Sequence, residues 1–300
     1  MQLHGSTIDD AVGEAFALHA ARLIVTAADA DWLDAAVRTV TGYATSIIGC
    51  DAEAALERGL AGAATPDGRV GAALLFFARS PKRLRHAVRN RAGQALLTCP
   101  TTAVYDGLDD AAARFSLGRW LAPFGDGFER GGDRAGRAGV EIPVMAGTFF
   151  AEAAVGRVEA VGGGTLLLGG GDDARLLAGA RRAVEAIAPL AGVITPFPAG
   201  VCRAGSRVGS RSGKLPATTN APYCPVLRDH PEVQTRLPGG VAHVYEIVLD
   251  ALTREQLVAG MQAGLHAAAG PGVGWITTGS YGGRLGNTRL PLREIAGTHP

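Results

Sequence analysis

Val241–Leu249, VAHVYEIVL, is followed closely by Thr253-Arg-Glu-Gln256. The first is an apolar, β-rich run of strand length. The second is a capping box, in which Thr and Gln satisfy the open donors of a helix's first turn. Val258, Met261 and Leu265 then point to one helical face. The same order stands earlier in the chain. Val70–Ala78, VGAALLFFA, precedes Ser80-Pro81, an N-cap with proline at the first helical position, and Leu84, Ala87, Val88 and Ala92 supply the apolar face.

Working outward, each strand–helix pair has a strand, a helix and a strand before it and a strand behind. In the first half these are Ala21–Ala27, a helix over Asp31–Gly42 carried by Leu33, Ala36, Val37 and Val40, the β-rich Tyr43–Cys50, and Ala95–Tyr105. In the second half they are Thr165–Leu168, flanked by glycines, a helix over Asp172–Leu190 with Leu177, Ala180, Val184 and Ile187, the extended Val193–Val201, and Gly274–Tyr281. Each half reads β-α-β-β-α-β, the ferredoxin-like unit. The expected fold is therefore α+β. Two ferredoxin-like lobes, residues 1–148 and 149–300, form an α/β sandwich with mainly antiparallel sheets. The rival, a doubly wound parallel sheet, needs longer strict β-α alternation. A ferredoxin-like unit leaves one sheet face bare, so a second copy or another subunit is expected to cover it.

The two halves differ in length at one place. The later one carries about 31 extra residues between its second and third strands, over 203–240. Long loops in compact domains are commonly functional.

Composition narrows the function. The 300 residues are 47% hydrophobic and carry 29 bases against 28 acids, which excludes intrinsic disorder and argues against a nucleic-acid binder. No run is long enough for a membrane helix, and Met1–Asp10 lacks a basic leader, so a cytoplasmic location is expected. Cys50, Cys99, Cys202 and Cys224 form no CxxC pair and read as free thiols. The seven histidines show no HxH or HExxH spacing, so no metal site is expected.

Glu246 is the leading candidate for chemistry. It lies among apolar neighbours on a central strand and shares a face with Val244 and Val248. Burial would raise its carboxyl toward neutrality, which suits a general acid or base. The alternative is a glutamate on a wet face or paired with an arginine. In the long loop, Arg203, Arg207, Arg211 and Lys214 stand among small residues that let a backbone approach an anion. Thr218, Thr219, Asn220 and Tyr223 could orient a heterocycle or donate to an oxyanion. For both groups, plain loop and turn chemistry is the competing reading. The glycines of Gly162–Gly171 precede a helix but lack the GxGxxG order, so tight packing is the better reading. Phe124–Phe128 and the Gly/Arg stretch after it read as a turn-rich connection.

Several stretches together resemble one family. They are IDDAVGEAF (8–16), TGYATSII (41–48), TPDG (65–68), FGDG (124–127), PFP (196–198), LPATTN (215–220), YCP (223–225), VYEIV (244–248) and GGRLG (282–286). In this order they are similar to the formylmethanofuran:tetrahydromethanopterin formyltransferases, over about residues 3–293. The resemblance implies two ferredoxin-like lobes, a homo-oligomer and an active site in a cleft at a subunit interface. It implies no permanently bound cofactor, with tetrahydromethanopterin and methanofuran as co-substrates that meet in a ternary complex. It assigns the acid/base role to Glu246, in the VYEIV strand. The near absence of lysine and the Arg/Ala/Gly-rich composition resemble the bacterial methylotroph branch. There the chain would be the transferase subunit of a formyltransferase/hydrolase complex, passing formyl from the pterin to the furan. A non-catalytic scaffold subunit and a pterin-binding sensor are the alternatives from other classes.

Overall fold

The computed structural model describes residues 1–205, 207–279 and 286–297. Two compact units divide the chain. One is Leu18–Ala160, and the other joins Met1–Ala17 to Val161–Pro300.

The first unit takes the strand Val12–Thr26 from Leu18 onward, followed by the helix Ala30–Thr41, strands Glu53–Leu60 and Gly71–Ala78, the helix Pro81–Arg91 and the strand Ala103–Asp106. Sheet order is Glu53–Leu60, Gly71–Ala78, Val12–Thr26, Ala103–Asp106, with every neighbour antiparallel. That is the ferredoxin-like arrangement. The Asp29 carboxylate accepts from the Trp32 N–H and the Ser80 hydroxyl from the Arg83 N–H, which fixes both helix starts. Leu33, Ala36 and Val40 of one helix and Leu84, Ala87 and Val88 of the other are buried.

Three local expectations are corrected here. Tyr43–Cys50 is a turn, not a strand; the Ile47 N–H donates to the Glu53 carboxylate at 2.8 Å, and the second strand begins only at Glu53. Ala95–Tyr105 starts as a π-helical turn over Ala92–Leu96, and Ala103–Asp106 alone pairs. The stretch after Phe128 is more ordered than its glycines suggest. Arg130–Arg134, Arg137–Val144 and Gly147–Glu152 form an antiparallel meander whose last strand runs parallel to Ala103–Asp106.

The second unit repeats the plan. Ala154–Gly170 from Val161 onward, the helix Asp173–Ile187, Val193–Ile194, His243–Ala251, the helix Arg254–Ala268 and Trp275–Thr277 follow in order. Their sheet order is Val193–Ile194, His243–Ala251, Ala154–Gly170, Trp275–Thr277, again antiparallel throughout. The Thr253 hydroxyl accepts from the Gln256 N–H, as the capping box requires. Leu176, Ala180, Ile187, Leu257, Met261 and Leu265 pack beneath Leu166, Leu168, Ile247 and Leu249. Ser6–Ile8 adds a parallel strand beside Trp275–Thr277, and Gln2–Leu3 pairs with it. That pairing is why the first residues belong to the later compact unit.

The glycines of 162–170 lie inside the strand and do not flank it. Gly163, at φ +83°, makes a bulge between Gly162 and Gly164, and a side chain there would strike the Phe16 ring. The Asp172 carboxylate caps the following helix itself, accepting from the Arg175 N–H. Of the extended run Val193–Val201, Val193–Ile194 alone is strand. Ser280, Tyr281 and most of the GGRLG motif lie outside the described residues.

Candidate active site

The third strand of the later unit alternates cleanly. Ile247 and Leu249 face the helices, whereas Val244 and Glu246 face the other side of the sheet. On that side Val244 and Tyr223 pack on a small apolar cluster of Leu237, Val241 and Trp275, with the Tyr223 and Trp275 rings 6.0 Å apart. The long insertion is thereby anchored to the sheet. Arg228 ties its end down, donating to the carbonyls of Leu237 and Pro238 at 3.2 Å and to that of Val241. The Arg236 N–H donates to the Pro222 carbonyl at 2.9 Å.

The carboxyl of Glu246 is thus held between strand and loop, and the residue is only 6% exposed. Leu167 lies opposite it on the neighbouring strand. Burial pushes the carboxyl up to about 7, and a hydrogen bond from the Cys202 thiol pulls the other way. Cys202 is paired to Glu246 through the backbone: its N–H donates to the Glu246 carbonyl at 2.7 Å, and the Glu246 N–H donates back at 2.9 Å.

A cavity of about 700 Å³ opens onto this carboxyl. Its walls are Leu167, Cys202, Arg203, Ala204, Gly205, Asn220, Tyr223 to Val226, Ala242 to Glu246, and Asp173. Asn220 is buried. Gly205 leaves the carboxyl approachable; a methyl group there would stand 3.8 Å from Glu246 Oε2. At the rim, the Tyr245 hydroxyl donates to Asp173 Oδ1 at 2.9 Å, and His243 Nδ1 lies 3.5 Å from the same oxygen. The Asp173 carboxylate beside it raises the Tyr245 phenol above its ordinary value.

The residues expected from the sequence fall into two groups. Glu246, Arg203, Asn220 and Tyr223 share this cavity. Arg207, Arg211, Thr218 and Thr219 line a second one of about 610 Å³, together with His230, Glu232 and Arg236. There Arg211 is ion-paired to Glu232, both side chains exposed, and the Thr218 hydroxyl donates to the Gly209 carbonyl at 2.8 Å. Lys214 is exposed and lines neither of these two cavities. Sequence reasoning missed Cys202, Asp173, His243 and Tyr245. The last two stand just before Glu246 in the same strand and were there to be found; Cys202 and Asp173 reach the cavity through pairing and folding alone. All four cysteines are free thiols. Among the described residues, no three His, Cys, Asp or Glu side chains converge in a way that could hold a metal ion.

Known proteins match this chain over nearly all of its length, in sequence and in fold. The sequence profile described as formylmethanofuran-tetrahydromethanopterin formyltransferase matches residues 1–144, and that of its proximal lobe matches residues 147–295. The chain belongs to the formylmethanofuran–tetrahydromethanopterin formyltransferase family. It is 41% identical to the formyltransferase of Methylococcus capsulatus, covering 98% of this chain and 99% of that one. The structure of the Methanosarcina barkeri formyltransferase superposes with a TM-score of 0.92 at 40% identity, covering 98% of this chain and all of that one. The formyltransferase/hydrolase complex FhcABCD of Methylorubrum extorquens, solved with methylofuran, contains a chain that superposes with a TM-score of 0.93 at 39% identity, with 98% of both chains covered. Two ferredoxin-like lobes and the family assignment expected from the sequence are therefore both established.

Proposed function

We propose that this chain is an N-formyltransferase that moves a formyl group between N5 of tetrahydromethanopterin and the amine of methanofuran. The observation that carries the chemistry is a buried carboxyl, poised near neutrality, on the wall of a cavity large enough for reacting groups. Family membership over the whole chain supplies the substrates.

The reaction exchanges one C–N bond for another. The acceptor amine attacks the formyl carbon, and the carbonyl oxygen becomes an oxyanion. Glu246, as carboxylate, takes the proton that the attacking nitrogen sheds. It returns that proton to the leaving nitrogen as the old C–N bond breaks and the carbonyl re-forms. One proton moves and nothing is oxidised or reduced. A carboxyl near pH 7 serves both halves, since base and acid forms are each populated. Asn220 and Tyr223, on the same wall, are the side chains suited to hold the oxyanion. Arg207, Arg211, Lys214, Thr218 and Thr219 lie along the insertion, where they suit the anionic and polar parts of the two co-substrates. Bringing both substrates into one complex supplies much of the rate.

The methylotroph-like composition and the likeness to the formyltransferase/hydrolase complex favour transfer from pterin to furan. A homo-oligomer with hydrolase partners in the cytoplasm, where formyl-furan is hydrolysed to formate, completes the reading. None of the helices described is long and apolar enough to cross a membrane.

The test is Glu246→Gln assayed with formyl-tetrahydromethanopterin and methanofuran. A drop in kcat of about 10²-fold or more is expected, with KM little changed. Undiminished kcat would remove Glu246 from the mechanism, and no exchange by the unaltered protein would favour the scaffold or sensor readings.

A further inference from the structure

Cys202 has no place in the chemistry just described, yet among the described residues it is the one bridged to Glu246. The two residues face each other across an antiparallel bridge, exchanging both backbone hydrogen bonds. Residues paired in this way project their side chains to the same side of the sheet. Both are 6% exposed, and both line the cavity. The bridge continues into a tight turn, with Gly205 at φ +59°, whose backbone N–H and that of Ala204 favour the ionised sulfur while burial opposes it. The Glu246 carboxyl stands across that bridge from the sulfur, on the same side of the sheet and in the same cavity.

We propose that Cys202 is the positioning residue of the reaction, its S–H donating to one oxygen of the Glu246 carboxyl and holding the other toward the cavity. The proposal rests on the reading of Glu246 as the acid/base group. Burial and the neighbouring carboxylate both hold the thiol up in its neutral form, so it stays a donor through the working range. A donor to the carboxylate favours the ionised form, and burial opposes it. Cys202 therefore limits how far burial can raise Glu246. Other titratable groups stand on the cavity walls: Asp173 from the helix, Arg203, Tyr223 and Cys224 from the loop, and His243 and Tyr245 from the strand itself. Among the described residues, burial and the Cys202 thiol are what act on the Glu246 carboxyl. The facing strand offers Leu167, which carries no charge.

The test follows the pH dependence of kcat/KM in Cys202→Ala and Cys202→Ser, together with the S–H stretching band of the unaltered protein. In C202A the limb that rises with ionisation of Glu246 moves upward by about one pH unit. In C202S the hydroxyl donates in place of the thiol, and the limb returns to or below the parent position. The S–H band of Cys202, identified by its loss in C202S, shifts to lower frequency as pH rises through about 7, and it is flat with pH in Glu246→Gln. An unmoved limb in C202A, or an S–H band indifferent to Glu246→Gln, overturns the proposal. The band is read on the unaltered protein, so the test survives if C202A does not fold. The two failures are separable: full turnover in Glu246→Gln sinks the acid/base reading, while the S–H band still reports whether the thiol–carboxyl bond exists.

Discussion

The third strand of the early lobe, Gly71–Ala78, and that of the later lobe, His243–Ala251, hold the same place in the same sheet order. The first, GAALLFFA, is wholly buried and carries no ionisable group. The second buries two carboxyls, Glu246 and Asp250. Asp250 has a structural duty, accepting from the Gly163 N–H at the bulge at 3.2 Å. Among the described residues Glu246 shows none of that kind; its thiol neighbour and its cavity are the surroundings of a working group. The connections before these strands differ in step. Residues 61–70 suffice in the early lobe, whereas 195–242 intervene in the later one. A duplicated unit kept its core in both copies. In one copy it gained a covering loop and placed a carboxyl under it.

That comparison can be broken or sharpened by measurement. The largest effect is expected from giving the early strand what the later one has. Leu74 is fully buried opposite Leu23, so Leu74→Glu should lower stability by about 4 kcal/mol or more, read by urea unfolding. A tolerated glutamate there would mean that the two strands do not differ in environment.

Next is the pH dependence of stability itself. Glu246 is held at about 7 in the folded chain against an ordinary 4.5, so the folded state binds the proton more tightly. Its contribution is fully present below pH 4.5 and is lost as pH rises through 7. The unaltered protein should lose on the order of 3 kcal/mol over that window relative to Glu246→Gln, which lacks the titration. Parallel stability curves for the two would show that the carboxyl is not buried as described. The smallest effect is expected at the exposed Arg211–Glu232 pair: Arg211→Ala should change stability by about 0.5 kcal/mol or less while raising KM for an anionic co-substrate. An unchanged KM would take Arg211 out of substrate binding.

Much of the repeat was legible because its signals are local. The caps at Ser80 and Thr253 and the apolar helix faces behind them need no tertiary context. Strands set by pairing were harder. Glu53–Leu60, EAALERGL, is rich in helix formers, and its pairing with Gly71–Ala78 overrides that preference. The β-rich Tyr43–Cys50 turns instead. The glycines of 162–170 read as tight packing on the flanks of a shorter strand, and the packing is what the structure shows, inside the strand itself. They sit in a strand because close neighbours, Trp275 and Val241 against Gly169 and Leu257 and Met261 against Gly164, need the room. At the site, Glu246 was legible as a charge inside an apolar strand. Cys202 was not, since nothing near it in sequence announces a bridge to a residue over forty positions away. Nor could sequence show that Asn220 and Tyr223 part company with Thr218 and Thr219 to line a different cavity.

The central claim is a carboxyl that changes protonation near neutrality inside the later lobe. Its most direct test is an infrared titration of the protonated carboxyl band that Glu246→Gln removes. A midpoint near 7 is the expected result; a midpoint near the ordinary 4.5 would contradict the account.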